Sequence, residues 1–443
     1  MISGSNIVCI VADDLTGAND TALQFRLNGA DTNILLSENI EKTQGEISQA
    51  WAISTESRNV PMDEAYEKVK QTVEFLNNTL CPDYYYKKID STLRGNIAVE
   101  ILAMLEVLGW DCAVIMPAFP QEGRITVGGY HLLNCIPIEM TEMACDPHSP
   151  ITESHIPTLL KQQLGDKYDN LIGQIELKTV LDGAREILIK TNELIEAGKK
   201  IIIADSISQT DVAQIVLAMK KSDYKILPVG NAAAAKILAN EWFPQEEKFE
   251  EQSEVSLPKL PKFIVSGSAT QITANQIEFL QNAGEYQDKC HIIELDINTI
   301  LNGVEDSLVD KIEAYLSDGI NVLVHTSNLF KNFDGFADDV ANADLTKATM
   351  ANKITDFLAD LTSKVLNCTK AILVTLGGET SYKCCHSIGA DQLKLMDEVL
   401  PAIAISKNIH HNQLIVTKSG NLGDTDTLVK ILKYFEQHEK YYE

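Results

Sequence analysis

A chain of 443 residues is too long for one ordinary hydrophobic core and predicts two domains of roughly 200 residues each. Hydrophobic residues make up 45% and charged residues 23%, a globular composition, while 63 acidic against 37 basic residues give a formal net charge of −26. That balance excludes nucleic acid and anionic membrane surfaces as partners, since both need clustered Lys and Arg, yet a few buried cations can still form a positive pocket for a small anion.

In chain order, Asn6–Ala12, Thr32–Leu36, Ala50–Ser54, Tyr84–Ile89, Cys112–Met116, Lys200–Ala204 and Ile226–Val229 read as strands. Helical periodicity runs through Ala18–Leu27, Met62–Leu76, Ile97–Leu108, Gly183–Ala197 and Asp211–Met219 between them. Pro117–Pro150, rich in Pro, Gly and polar residues, interrupts this rhythm and predicts a loop and hairpin over the sheet's edge. Phe243–Lys262 (FPQEEKFEEQSEVSLPKLPK) has the composition of a linker. The alternation then restarts, with strands at Phe263–Val265, Ile292–Leu295, Val322–His325, Ala371–Thr375 and Leu414–Val416. Helices follow near Thr270–Asn282, Asp306–Leu316, Thr346–Leu366 and Thr425–Glu436. The expected fold class is α/β: two α/β domains with mainly parallel sheets and an interdomain cleft, divided as 1–243, a linker at 244–261, and 262–443.

The nine cysteines form no CxxC pair and no His/Cys spacing suited to zinc, and Cys9 and Cys112 sit in apolar runs. Reduced core thiols and a cytoplasmic location are the expectation, with no redox role for the adjacent Cys384 and Cys385. The N-terminus MISGSNIVCIVADD lacks the basic region of a signal peptide, and no apolar stretch approaches the ~18 residues of a membrane span. His131, His148, His325, His410 and His411 are scattered without metal spacing, and no metal-ligand set is read from the sequence.

The candidate chemistry lies where strands end. Val11–Ala18 (VADDLTGA) closes a strand on Asp13 and Asp14 and opens a helix, the place where open α/β sheets bind ligands. One aspartate would reach a ligand while the other braces the turn, although Asp14 or Thr16 as a plain helix cap is the competing reading. Arg58, in Ser54-Thr55-Glu56-Ser57-Arg58, offers a fork suited to a carboxylate. Lys87–Asn96 (KKIDSTLRGN) is denser: Asp90 or Ser91 would cap the following helix, and Lys88, Arg94 and Asn96 supply donors for a carboxylate or hydroxyl-rich ligand. Beyond the linker, Val265–Thr270 (VSGSAT, with Ser266, Gly267 and Ser268), Thr375–Ser381 (TLGGETS, with Gly377, Gly378, Glu379 and Thr380) and Lys418–Asp424 (KSGNLGD, with Gly420 and Gly423) are three glycine turns after strands. Together they suit a polyphosphate, although neither GxxxxGK[ST] nor a GxGxxG opening a βαβ unit occurs.

These blocks (VADDLTGANDTA, STESR, KKIDSTLRGN, MPAFPQEGRITVGG, VSGSATQITANQ, LGGETS and TKSGNLGDTD, in that order) resemble the four-carbon acid sugar kinases over nearly the whole chain. The resemblance implies an N-terminal sugar-binding and a C-terminal nucleotide-binding domain. It implies transfer of the ATP γ-phosphate, normally with Mg²⁺, to the terminal hydroxyl of a tetronate or oxo-tetronate. It places Asp14, Arg58, Lys88, Asp90, Ser91 and Arg94 on the acid-sugar side and Ser266, Ser268, Gly377, Gly378, Glu379, Thr380 and Gly420 on the nucleotide side. The chain departs from the family pattern at Gly230-Asn231-Ala232-Ala233 and at Val399-Leu400-Pro401-Ala402. The expected mechanism has Arg94, with Arg58 or Lys88, gripping the substrate carboxylate, and Asp14 or Asp90 accepting the hydroxyl proton. The expected partners are a small acid sugar and ATP; oligomeric state stays open, a homodimer being ordinary for metabolic kinases.

Overall fold

The structure, a computed structural model, describes residues 6–36, 48–146, 149–165, 170–244, 257–327, 329 and 346–440. Most of the expected linker at 244–261, and His148, lie outside the described residues. The chain divides into two units, Met1–Glu246 and Glu247–Glu443.

The first unit contains strands β1 (Val8–Ala12), β2 (Thr32–Leu35), β3 (Ala50–Ser54), β4 (Tyr84–Lys88), β5 (Cys112–Met116), β6 (Arg124–Val127), β7 (Tyr130–Leu133), β8 (Ile136–Pro137), β9 (Ile172–Ile175), β10 (Ile201–Ala204) and β11 (Ile226–Gly230). Its helices are α1 (Leu15–Leu27), α2 (Met62–Thr79), α3 (Ile97–Leu108), α4 (Ile156–Leu164), α5 (Leu177–Leu181), α6 (Ala184–Glu196), α7 (Gln209–Lys220) and α8 (Ala232–Trp242). Eight strands pair in the order β2-β3-β1-β4-β11-β5-β10-β9, all parallel. Runs such as VCIVA, AWAIS and CAVIM are buried at every position, as a sheet covered on both faces requires. Cys9, Val11, Tyr85 and Ile89 pack with Val69, Val73, Ile101 and Met104 of α2 and α3. Alternation sends Ile10 and Tyr86 to the opposite face, where α1 and α8 pack together. The chain leaves β1 for β3 and β2 on one side and for β4 on the other, so the sheet's switch point falls at β1.

The excursion after β5 is an antiparallel hairpin, β6-β7-β8, with short 3₁₀ turns. It lies across strand ends rather than over the sheet's edge. The Asp205 carboxylate after β10 accepts the N–H groups of Gly128 and Gly129 at 2.7 and 2.9 Å, and His131 reaches the Ser91 carbonyl after β4. The Gly230–Ala233 departure starts α8, a helix the sequence reading does not contain. Asn231 caps it and spans to the Pro117 carbonyl at 2.7 Å.

The second unit has β12 (Leu257–Pro258), β13 (Lys262–Ser266), β14 (Cys290–Glu294), β15 (Asn321–His325), β16 (Ile372–Leu376), β17 (Gln392–Leu400), β18 (Ile403–Asn408), β19 (Leu414–Lys418) and β20 (Glu439–Lys440). Its helices are α9 (Gln271–Asn282), α10 (Ile297–Asn302), α11 (Asp306–Ser317), α12 (Lys347–Cys368), α13 (Gly378–Ser387) and α14 (Thr427–His438). The strand order is β14-β15-β13-β16-β19-β18-β17, with the first five parallel and β18 and β17 antiparallel. The second departure, Val399–Ala402, forms the β17–β18 turn, where Ala402 takes a left-handed φ of 61°. Here too the switch point is at the first strand of the sheet, β13.

One polar pair is built into the first unit's core. Lys87 points to the α2/α3 face and meets Glu100 of α3 at 2.7 Å, both side chains being essentially inaccessible. The Ser57 hydroxyl donates to Glu100 at 2.6 Å, and Lys87 donates to the Lys88 carbonyl at 2.8 Å. Removing one partner of a buried pair leaves an uncompensated charge, at a cost of about 3–5 kcal/mol. Glu100→Gln is therefore expected to lower the unfolding free energy by about 3 kcal/mol, and adding Lys87→Met should restore much of it. Denaturant titrations showing no loss in the single variant, or no recovery in the double, contradict this.

Candidate active site

The acid side is assembled at the carboxyl ends of β1, β3 and β4. Asp14 takes extended backbone and caps α1, its Oδ1 accepting the Gly17 N–H at 2.8 Å and its Oδ2 the Thr16 hydroxyl at 2.7 Å. From the end of β3, Arg58 donates through Nε to Asp13 and through Nη1 to Asp14, both at 2.7 Å, and its Nη2 lies 3.9 Å from Asp90. Asp90 accepts Arg94 Nε at 2.8 Å, Arg94 Nη2 at 3.1 Å and the Thr92 hydroxyl at 2.5 Å. Arg94 Nη1 continues to Asp146 at 2.9 Å. Gly95, at φ 92°, keeps this turn close to Arg58: a Cβ there would lie 3.1 Å from Arg58 Cγ.

Lys88 points away from Lys87, toward α1. A Cβ on Gly17 would sit 2.7 Å from both Lys88 Nζ and Asp14 Oδ1, so the ammonium lies on the Asp14 side of the helix start. Among the described residues Lys88 forms no ion pair, although it is only 4% exposed. Asp13 Oδ1 is likewise buried without a hydrogen-bond partner among them. Burial opposes the charge on Asp13, but Arg58, Lys87 and Lys88 outweigh it and hold the carboxyl below its usual range. For Asp90 burial is outweighed by Arg94, Arg58 and Thr92, which hold it well below.

Two sequence-level expectations change. Neither Asp90 nor Ser91 caps α3: Asn96 stands at the cap position, and Asp90 turns back onto Thr92 and Arg94 instead. The N-terminus of α3 is not an open anion site either, because the Ala98 N–H is taken by Gln163 at 2.8 Å. Asn96 binds the carbonyls of Ser57 and Val60, each at 2.8 Å, and so fixes the Arg58 loop. Ser91 is half-buried, with its carbonyl held by His131 Nε2 at 2.9 Å. His131 must carry its proton on Nε2 to donate there, leaving Nδ1 to accept from Thr126; burial pushes the ring down to about 4, so it stays neutral.

Glu56 and Asp146 join the site without having been singled out in the sequence, and so does His131, which the sequence offers only as one of five scattered histidines without metal spacing. Glu56 stands inside the quoted STESR block, but nothing in that string shows its left-handed φ of 45°, which turns its carboxylate onto the Leu15 N–H at 3.1 Å and the Ser54 hydroxyl at 2.5 Å. Burial, against the Ser54 hydrogen bond and with help from the Asp14 charge, pushes Glu56 up to about 8.

In the second unit the three glycine turns converge. Ser268 lies against Gly420, where a Cβ would collide with its Oγ, and its backbone is 3.8 Å from a Cβ placed on Gly377. A Cβ on Gly267 would come within 2.5 Å of Thr380 Oγ1. The Gly420 carbonyl accepts the hydroxyls of Thr270 and Thr273, both at 2.6 Å. Gly377, at φ 110°, donates its N–H to the Lys418 carbonyl at 2.8 Å and leads into α13, whose first turn (Gly378, Glu379, Thr380) has no side-chain cap. Gly423 takes φ 86° in the turn before α14. Ser266 Oγ is buried without a hydrogen-bond partner among the described residues. Lys418, fully buried, donates to the Ser419 carbonyl at 2.8 Å, and burial pushes its ammonium down to about 7.

The profile of a sugar-binding N-terminal domain matches residues 8–238, and that of a nucleotide-binding C-terminal domain matches residues 263–428. The protein is a kinase, a phosphotransferase with an alcohol group as acceptor. It belongs to the four-carbon acid sugar kinase family. It is 30% identical to a D-erythronate kinase of Heliobacterium modesticaldum, with 97% of each chain covered, and 27% identical to a D-threonate kinase of Salmonella typhimurium, with 97% and 98% covered. A crystal structure of a Haemophilus influenzae protein matches with TM-score 0.72 at 22% identity, over 96% of this chain and 100% of that one. That likeness shows the shared fold.

Glu56 yields a pH signature. With its pKa raised from 4.5 to about 8, the folded protein retains a proton that the unfolded chain loses, so this group's contribution to stability declines as pH rises from about 4.5 to about 8. Glu56→Gln keeps the site neutral at every pH. Its melting temperature relative to the parent is expected to rise steadily between pH 5 and pH 8, and a constant gap over that interval contradicts the assignment.

Proposed function

We propose that the chain transfers the γ-phosphoryl group of ATP to the terminal hydroxyl of a four-carbon acid sugar such as D-erythronate, D-threonate or 3-oxo-tetronate. The observation that carries this reading is the meeting of Arg58, Arg94 and Lys88 with Asp13, Asp14 and Asp90 at the switch point of the first sheet. The two relatives described above act, by name, on D-erythronate and D-threonate.

Phosphoryl transfer depends on positioning and on charge neutralisation. Lys88, which alone of Arg58, Arg94 and Lys88 forms no ion pair among the described residues, and the outer edge of Arg94 suit a substrate carboxylate. Arg58 is spent on Asp13 and Asp14, and so sets the pocket's shape rather than offering a free fork. Of the two aspartates proposed to receive the hydroxyl proton, Asp90 has its charged form stabilised by Arg94, Arg58 and Thr92, which makes it a weak base. That leaves Asp14 to orient the hydroxyl and accept its proton. In the second unit, the crowding at Gly267 and Gly420 and the orphan Ser266 hydroxyl fit a phosphate chain, which Ser266, Ser268 and the first turn of α13 would hold. Mg²⁺ would neutralise the transferring charge, held by phosphates and one or two carboxylates; Glu379 in that first turn, which meets Lys383 and Thr355 at 3.4 Å, would be one of them. The nine free thiols suit a cytoplasmic location.

The test is an ADP-release assay across D-erythronate, D-threonate, 3-oxo-tetronate and glycerate. Turnover with at least one four-carbon acid, above that with glycerate, is expected; no turnover with any of them, or a preference for glycerate, overturns the proposal. Asp14→Asn should lower kcat by about 10²-fold or more with a smaller change in KM. A kcat within a few-fold of the parent removes Asp14 from the proton-accepting role.

A further inference from the structure

We propose that Asp146 holds the carboxylate position on Arg94 in the empty protein, so that an acidic substrate must displace it to bind there. This rests on the reading above that the first unit takes an acid sugar. Arg94 presents two different edges. Along Nε and Nη2 it pairs with Asp90, four residues earlier in the same turn, and Thr92 fixes that carboxylate as well. Its far end, Nη1, is met at 2.9 Å by an acid 52 residues away, at the end of the 3₁₀ turn Glu142–Cys145.

The two carboxylates also differ in setting. Asp90 is closed in between Arg94 and Arg58, whereas the Asp146 side chain is 20% exposed on a connection that runs over the strand ends. Its other oxygen accepts the Ser149 N–H at 2.8 Å, and the Ser149 hydroxyl donates to Asn59 at 2.8 Å, beside Arg58. Asp146 thus offers Arg94 the same group that a sugar acid would bring, on a segment tied to the rim of the same site.

Two consequences follow. The Nη1 end of Arg94 keeps an acceptor when no ligand is present, which avoids a mostly buried donor left unsatisfied. A ligand gains full access to Arg94 only by supplying a carboxylate of its own. A neutral polyol of equal size cannot replace the ion pair it would break, so Asp146 acts as a specificity-determining residue for acids over alcohols. The internal competitor also lowers apparent affinity by the fraction of molecules in which it is in place.

The experiment compares Asp146→Ala and Asp146→Asn with the parent full-length protein. It reads KM and kcat for the best four-carbon acid, calorimetric Kd for that acid without nucleotide, and Kd for erythritol and threitol. For the Ala variant KM and Kd for the acid are expected to fall by about two- to fivefold, the range for a partly exposed ion pair. The Asn variant, which keeps an oxygen facing Nη1, should fall less, the change should sit in KM more than in kcat, and polyol binding should not tighten in step. Unchanged or raised KM and Kd in both variants, with the parent active, make Asp146 a permanent brace and overturn the inference alone. So does loss of the ligand-free melting transition in both. A parent that phosphorylates no four-carbon acid sinks the proposed function instead.

Discussion

Three aspartates stand within reach of one guanidinium at the ends of β1 and β4, and the first unit's site depends on that charge. Asp13, Asp14 and Asp90 are nearly buried, and Arg58 offsets part of their mutual repulsion and lost hydration. Arg58 reaches them only because β3 runs beside β1 in register, which brings the Ser57 and Arg58 N–H groups onto the Asp13 carbonyl at 3.1 and 3.3 Å. Asn96 and Gly95 hold and admit the same loop from the other side. The strand order β3-β1-β4 is therefore an electrostatic requirement as well as a topological one.

The two units furnish the same topological place with different groups. In the first, long cationic side chains are brought in and balanced by carboxylates, so the site works through charges whose positions are set by ion pairs. In the second, side chains are kept away. A Cβ on Gly267 or Gly420 would strike Thr380 or Ser268, and what remains is backbone amide, small hydroxyls and the start of α13. Side-chain charges suit a carboxylate that must be told from a hydroxyl, whereas amide dipoles suit a polyphosphate that arrives with its own metal. Lys418 shows the cost of the second arrangement. Buried beneath its turn with a carbonyl as its described partner, its ammonium loses much of its preference for the proton.

Much of this is legible in the sequence because parallel strands advertise themselves. Ala50–Ser54, Cys112–Met116 and Ile97–Leu108 appear with the bounds that periodicity predicts, and the polar residues clustered after strands fall at the switch points. What escapes the string has physical reasons. The β17–β18 hairpin alternates charge with apolar residues, and Lys394, Asp397 and Glu398 mask it as a loop. The strand Ile172–Ile175 is four residues long with a central glycine, and α8 is a run of alanines with little amphipathic contrast. In the site, the left-handed φ of Glu56 and the reach of Asp146 across 52 residues are properties of tertiary geometry that no local pattern encodes.

The same distinction bears on substrate choice within the family. D-erythronate and D-threonate differ in the direction of one hydroxyl, not in charge or size. A cation such as Lys88 responds to distance and hardly to direction, so the side chains that recognise the carboxylate cannot separate the two acids. Separation needs hydrogen-bonding atoms held at fixed angles, because a misdirected hydroxyl leaves a buried partner unpaired. In the first unit, groups locked through second contacts include Asp13, with one oxygen on Arg58 and the other unpartnered among the described residues, and the Ser91 turn, held by the neutral His131. His131 is a buried residue of β7, in the excursion between β5 and β9. Charge and direction are therefore separate demands, the first met by a point charge and the second only by donors and acceptors fixed in angle.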